Sequence, residues 1–242
     1  MMLLSPFTQF EINILQKIQF LLDISITNFT IYLSLVSIIL FTLFYTSTQQ
    51  LTLVPNNFQI LFETLYKFIL GLLFEQTGVK GLRFFPLLFV VFSFIFTANI
   101  IGLFPFAFTI TAHIALTFLL ALSFFIAWII QGLITLKLSF FNIFLPRGIP
   151  AWLMPLLVVI EILSFLIRPL SLSIRLFANM LAGHILLYIL GSATLTLGIF
   201  INFFPFLFII AFLFLELGIA FLQAYVFTIL LSIYLADAYK SH

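Results

Sequence analysis

The sequence predicts an all-α polytopic membrane protein. It should have upright transmembrane helices, an interfacial amphipathic helix and a long, strongly tilted two-helix hairpin. Three observations carry this. Of the 242 residues, 64% are hydrophobic and only 7% are charged, where soluble domains carry about 25% charged residues, and mean hydropathy is +1.36. Apolar runs near the ~20 residues that a span requires recur along the chain. The last two runs are far too long for one upright crossing.

Residues 1–27 are mixed, with Glu11, Lys17 and Asp23. They show neither an early basic region with a small-residue cleavage site nor the Arg-rich, acid-free composition of a transit peptide. The chain is therefore expected to insert through its own spans, and an organellar product would be made inside the organelle. Residues 28–46 are uncharged and form the first expected span. The polar stretch after it ends in Pro55-Asn56-Asn57, a turn and helix-start signal. Residues 58–80 differ: Glu63 and Lys67 stand four apart, Glu75 and Lys80 follow, and apolar residues fill the other faces. A short surface helix linking spans fits this pattern, and a helix lying in the interface plane fits it better.

Residues 84–105 and 113–135 are the second and third spans. Residues 136–150 form an inner loop, with Arg147-Gly148 between Pro146 and Pro150. The two long runs, 152–190 and 196–239, follow. At about 1.5 Å per residue they would extend ~58 Å and ~66 Å as helices, against a hydrocarbon core ~30 Å thick. Pro169 and Pro205 permit kinks, but no turn cluster or charged loop interrupts either run. The expectation is a pair of long tilted helices joined at Gly191-Ser192. The positive residues support this count. Lys67, Lys80, Arg83, Lys137, Arg147 and Lys240 then fall on one side and Lys17 alone on the other. The positive-inside rule puts the C-terminus inside and the N-terminus outside.

Composition also excludes classes. The formal net charge of +2 and the scattered basic residues argue against a nucleic-acid partner, and the absence of cysteine removes disulfides and thiolate metal sites. No P-loop, nucleophile elbow or HExxH motif is present. The 36 phenylalanines supply lipid-facing bulk, and an A- and T-rich genome would give the same excess.

The candidate site lies in the long runs. Ionisable groups inside such segments are costly and mark function by default. At 100° per residue, Glu161, Ser164, Arg168, Ser171, Arg175, Asn179 and Ala182 share one narrow stripe, and His184 lies opposite Arg175. Arg168 fits a snorkelling residue near a helix end. Arg175, with a long apolar helix after it, fits poorly. It is either half of a static ion pair with Glu161 or Glu216, or a permanent positive charge in an ion path, since arginine keeps its proton. His184 and Glu216, with Asn179 and Gln223, could form a hydrated polar wall between the long helices. A neutral-range imidazole suits proton relay there. Two nearby ligands are too few for a metal, so no metal or cofactor is expected. Glu161, nearer the inside, could serve a second opening. Asn99 and His113 stand where a short outer link meets two spans, and capping or interface roles suit them better than a role in the ion path. A secondary transporter, a self-contained channel and a structural anchor of a respiratory complex remain open on these residues alone.

Two segments then carry a resemblance: EILSFLIRPLSLSIRLFANMLAGHILL from Glu161 and LELGIAFLQAYVFTILLSIYL from Leu215. They resemble subunit a of the F-type ATP synthase membrane sector, mitochondrial type, and TANIIGLFPF at Asn99 and TAHI at His113 resemble that family's second and third spans. The resemblance covers roughly residues 50–242, and SPFTQFEI near the start is similar to some mitochondrial members. It implies the tilted hairpin, a proton-translocating stator role, and a subunit that does not hydrolyse ATP by itself. It implies as partners a ring of c subunits, other stator and membrane-sector subunits, lipid and protons. Arg175 matches the essential arginine that separates two half-channels. Asn179, His184, Glu216 and Gln223 match the outer half-channel, Glu161 the inner one, and Arg168 a recurrent structural arginine. The implied location is the mitochondrial inner membrane, with the N-terminus in the intermembrane space and the C-terminus in the matrix.

Overall fold

Among the described residues, the fold is a set of six α-helices preceded by a small β-hairpin, in a computed structural model. The structure describes residues 10–19, 23–49, 55–104, 107–137, 140, 153–196 and 203–239. Most of the inner loop expected at 136–150, with Arg147, lies outside them, as does Lys240.

An element that the sequence reading did not anticipate comes first. Strands β1 (Ile14–Gln19) and β2 (Asp23–Thr27) pair antiparallel, with an irregularity between Ile14 and Gln16. Ile14, Ile18, Ile24 and Ile26 are β-branched and suit an extended pleat. A reciprocal threonine cap ends β2 and opens α1 (Asn28–Gln49). Thr30 N donates to Thr27 Oγ1 at 3.4 Å while Thr27 N donates to Thr30 Oγ1 at 3.0 Å, so two orphan amides at the helix start are satisfied together. α1 runs past the expected boundary at 46. The hydroxyls of Thr46, Ser47 and Thr48 donate back to the carbonyls of Thr42, Leu43 and Phe44, so polar residues continue the helix without leaving unpaired groups.

α2 (Asn57–Thr77) starts at the Asn56 cap, whose side chain accepts from the Asn57 amide. Its Glu63 and Lys67 approach to 4.0 Å on the exposed side, and Ile69 and Leu73 are buried. Gly78, at φ +63°, ends it, a conformation open to glycine at little cost. A 3-10 stretch, Gly78–Phe84, leads directly into α3 (Phe85–Gly102). A short 3-10 turn, Ile110–Ala112, precedes α4 (Ile114–Leu136).

α5 spans Met154–Thr196 and α6 spans Phe203–Tyr239. The joint expected at Gly191-Ser192 is corrected. α5 continues through it, because Ser192 Oγ donates to Ile189 O and Thr194 Oγ1 to Gly191 O, and no proline follows before Thr196. The kink allowed at Pro205 is also unnecessary, because Pro205 lies two residues into α6, where an amide has no intrahelical acceptor anyway. Pro169 alone is internal to α5. As a proline it has no amide N–H to donate, and the nearby Ser171 Oγ donates to Arg168 O at 3.0 Å, a local adjustment that such helices tolerate.

Five stretches among the described residues are long and apolar enough to cross a membrane: Asn28–Gln49, Asn57–Gly102, Ile114–Leu136, Met154–Ser192 and Pro205–Asp237. α6 is the central element, packed on α2, α3, α4 and α5. The main core gathers Ile69, Leu73, Leu88, Phe92, Leu176 and Phe227 from four of these helices. Phe92 anchors it, fully buried against Phe68, Phe96 and Phe221. Phe92→Ala should therefore cost about 3–5 kcal/mol, read as a lowered thermal midpoint of the detergent-solubilised protein. An exposed phenylalanine such as Phe41 gives a change near zero under the same conditions.

Candidate functional site

The site forms where α5 meets α6. Gly183 permits it: a Cβ built there would lie 2.6 Å from Glu216 Oε1. Small residues let helices approach closely where lipid removes any hydrophobic force between them. The next residue, His184, is thereby held beside Glu216, with Nε2 3.7 Å from Oε1. Its side chain is 11% exposed and that of Glu216 2%. The separation exceeds hydrogen-bond range. Among the described residues, His184 Nε2 and both Glu216 oxygens have no hydrogen-bond partner. The pair lies within ion-pair distance, as do Arg168 and Glu161. The edge of the Phe10 ring, 6.3 Å between centroids, covers the histidine from the N-terminal segment.

Asn99 of α3 completes this centre. It is fully buried, and its Nδ2 donates to Ala220 O at 3.3 Å, one turn along α6 from Glu216. Its Oδ1 has no hydrogen-bond partner among the described residues. The structure thus brings Asn99, His184 and Glu216 to one place. Gln223 and Asn179 are half-buried on α6 and α5. His113 does not join the group. It precedes α4 and stacks on Phe108 at 4.9 Å, with Phe29 edge-on at 5.8 Å.

The other charges form a second group. Arg168 NH2 lies 3.7 Å from Glu161 Oε1, and its guanidinium sits 5.4 Å from the Tyr234 ring centroid. Glu161 therefore pairs with Arg168, and Glu216 stands next to His184. Neither is within ion-pair distance of Arg175, which has no salt bridge among the described residues. Arg175 is exposed on the outer face of α5, together with Ser164, Ser171, Ala178 and Ala182. A shallow groove of ≈ 450 Å³ along that face is lined by Ile160, Leu163, Ser164, Ile167, Arg168 and Ser171. Helix α5 thus presents His184 to the bundle and Arg175 away from it.

Sequence reasoning missed Gly183, the Ala220 carbonyl, Tyr234 and Phe10. For Gly183 a signal existed, since a glycine inside a helical pattern points to close packing. For the other three there was none, because their roles arise from contacts distant in sequence.

Comparisons with known proteins agree in direction. A family model described as "ATP synthase A chain" matches residues 28–236. The chain is 46% identical over 242 residues to a protein named "ATP synthase subunit a" of Dictyostelium citrinum, covering 98% of this chain and 99% of that one. It is 47% identical over 245 residues to the protein of the same name from Acanthamoeba castellanii, covering 99% of each.

Gly183→Val should force α5 off α6 at Glu216 and cost about 1–3 kcal/mol. Gly191→Ala, where an added Cβ meets nothing within 4 Å, should be neutral or stabilise by up to about 1 kcal/mol. Thermal midpoints of the two variants, measured side by side, check the difference.

Proposed function

The chain belongs to the ATP synthase A chain family, and from that premise we propose that it is the proton-translocating stator subunit of a rotary ATP synthase, without hydrolytic activity of its own. The observation that best supports this is the opposed placement on α5 of a buried His184–Glu216 pair and an outward Arg175 with no salt bridge among the described residues. A static ion pair would join the two. Their separation suits a route in which protons and a fixed charge act on different sides of one helix.

In this reading a proton enters from the outside by way of Asn179, His184, Glu216 and Gln223, with Asn99 steadying the α3–α6 contact. The unpaired nitrogen and oxygens of His184 and Glu216 exchange protons with water that reaches them. The proton passes to a carboxylate on a neighbouring ring of c subunits. Neutralising that carboxylate removes the desolvation cost of moving it into lipid, so the ring turns. On the inner side the proton leaves near Glu161, which Arg168 positions at 3.7 Å. The ionised ring site then returns past Arg175, which stays charged and bars a direct leak. Ser164, Ser171, Ala178 and Ala182 leave the outer face of α5 smooth enough for a moving partner.

Length supports the tilt. The 43 residues of α5 extend about 65 Å, about twice the ~30 Å hydrocarbon thickness, so α5 and α6 lie steeply across the membrane and present a long flank to the ring. α2, with its exposed Glu63 and Lys67, lies at the inner interface. The proposed setting is the mitochondrial inner membrane, N-terminus outward and C-terminus in the matrix.

Two substitutions test the mechanism in the assembled complex. Arg175→Ala should abolish ATP-driven proton pumping while assembly persists. Normal coupling in that variant would sink the reading and favour a structural anchor. Glu216→Gln keeps size but loses the exchangeable proton, and pumping should fall by about 100-fold or more, followed by quenching of a pH-sensitive dye in proteoliposomes. Substrate-dependent flux by the isolated subunit would instead point to a secondary transporter.

A further inference from the structure

We propose that the cleft between α1, α2 and α3 binds one zwitterionic phospholipid, with an acyl chain in its apolar part and the head group among polar residues at the end of α1. Nothing in the proton path uses this cleft. Its apolar part has a volume of ≈ 350 Å³ and is walled by residues such as Leu43 and Phe44 of α1, Leu65 of α2, and Phe89 and Ile101 of α3. A second, polar cavity of ≈ 450 Å³ adjoins it, lined by Tyr45, Thr46, Gln49, Asn56 and Gln59. The two share Ser47 and Phe58, so an apolar and a polar cavity lie side by side.

Size selects the occupant. From Phe89 to Ile101 the apolar wall runs about 18 Å along α3, close to the ~15 Å that one leaflet contributes to the hydrocarbon. A partner helix is about 10–12 Å across, far broader than an acyl chain. A single acyl chain is slender enough. Placement agrees as well. The polar end sits where α1 turns from apolar to Thr46-Ser47-Thr48-Gln49, the level at which a span leaves the hydrocarbon, so a lipid there has its head group at the right depth. Ser47 Oγ donates to Leu43 O at 2.6 Å, so the hydroxyl at the junction turns into its own helix and leaves the acyl path apolar.

Charge selects the head group. Among the described residues, neither cavity is lined by lysine or arginine, and the undescribed residues 50–54 carry no charge in the sequence. Instead Gln59, which lines the polar part, donates from Nε2 to Glu63 Oε1 at 2.9 Å. Glu63 also pairs with Lys67 at 4.0 Å, so this end of the site carries no net positive charge with which to hold an anionic head group, and the carboxylate remains available to an ammonium. Phosphatidylethanolamine fits that environment, with its ammonium toward Glu63 and its phosphate toward the amides and hydroxyls. An anionic phospholipid does not.

The test uses the assembled complex in mild detergent. Phosphatidylethanolamine carrying a diazirine in its acyl chain is the probe, and phosphatidylglycerol with the same label is the comparator. The first lipid should label peptides covering 39–47 and 89–101 about five-fold more than the second, the scale of one charge at a membrane surface. Ser47→Phe, which fills the junction, should remove that labelling. If Ser47→Phe prevents assembly, the comparison of the two probes on the unsubstituted complex decides. Equal labelling by the two lipids overturns the head-group assignment. Labelling no stronger than on the exposed α4 face around Leu119 and Ile130 overturns the site. A crosslink from a photoreactive residue at Phe44 to another protein subunit gives the cleft to that subunit and overturns the lipid.

Discussion

The arrangement depends on how closely α5 approaches α6 at Gly183. With a hydrogen in place of a side chain, Glu216 reaches the α5 backbone, and its carboxyl comes to rest beside His184. Ala220 and Ala224, both fully buried, extend the same principle along α6. Their size admits α3, and Asn99 then reaches the Ala220 carbonyl. His184 and Glu216 meet, and Asn99 comes within a helical turn of them, because three positions are small. In a membrane, where apolar contact with lipid costs a helix little, shape carries much of the packing.

This contact fixes the rotation of α5 about its axis, and the rotation assigns the charges. Once His184 faces α6, Arg175 must face outward, because nine positions of helix place them on opposite sides. Arg168 falls between these extremes and finds Glu161 and Tyr234. The two arginines of one helix therefore have different fates: one is committed to an internal pair and an aromatic ring, and the other is left toward the surface. In the mechanism we propose, that difference separates a structural arginine from a working one. An exposed face of serine and alanine around Arg175 means that little must be displaced when a partner lies against it.

The N-terminal third acts on a different scale. The hairpin β1–β2 and the cap at Thr27 set the start of α1, and Phe10 reaches across to His184. Aromatic rings tie α1, α2 and α3 together through Phe44, Phe62 and Phe89. These bulky contacts hold the helices apart as well as together, and an amphipathic cleft opens between them. The abundance of phenylalanine thus has an internal role beside its lipid-facing one.

Much of the fold could be read in the chain. Hydrophobic runs gave the membrane class and the succession of helices, because insertion into hydrocarbon depends on composition over a span's length and little on the neighbours of that span. The polar stripe on α5 was also legible, since helical period alone places Arg175 opposite His184. Local exceptions were not. The hairpin at Ile14–Thr27 is short and irregular, and the continuation of α5 through Gly191-Ser192 rests on hydroxyl-to-carbonyl bonds that residue type does not announce. What the sequence by itself determined was the set of helices and which residues share a face. The tertiary structure alone decided which faces meet: that Glu216 stands by His184, that Glu161 belongs to Arg168, and that Arg175 stays outside. The physical reason is that pairing between helices depends on where small residues let backbones approach, and that is a property of two surfaces together.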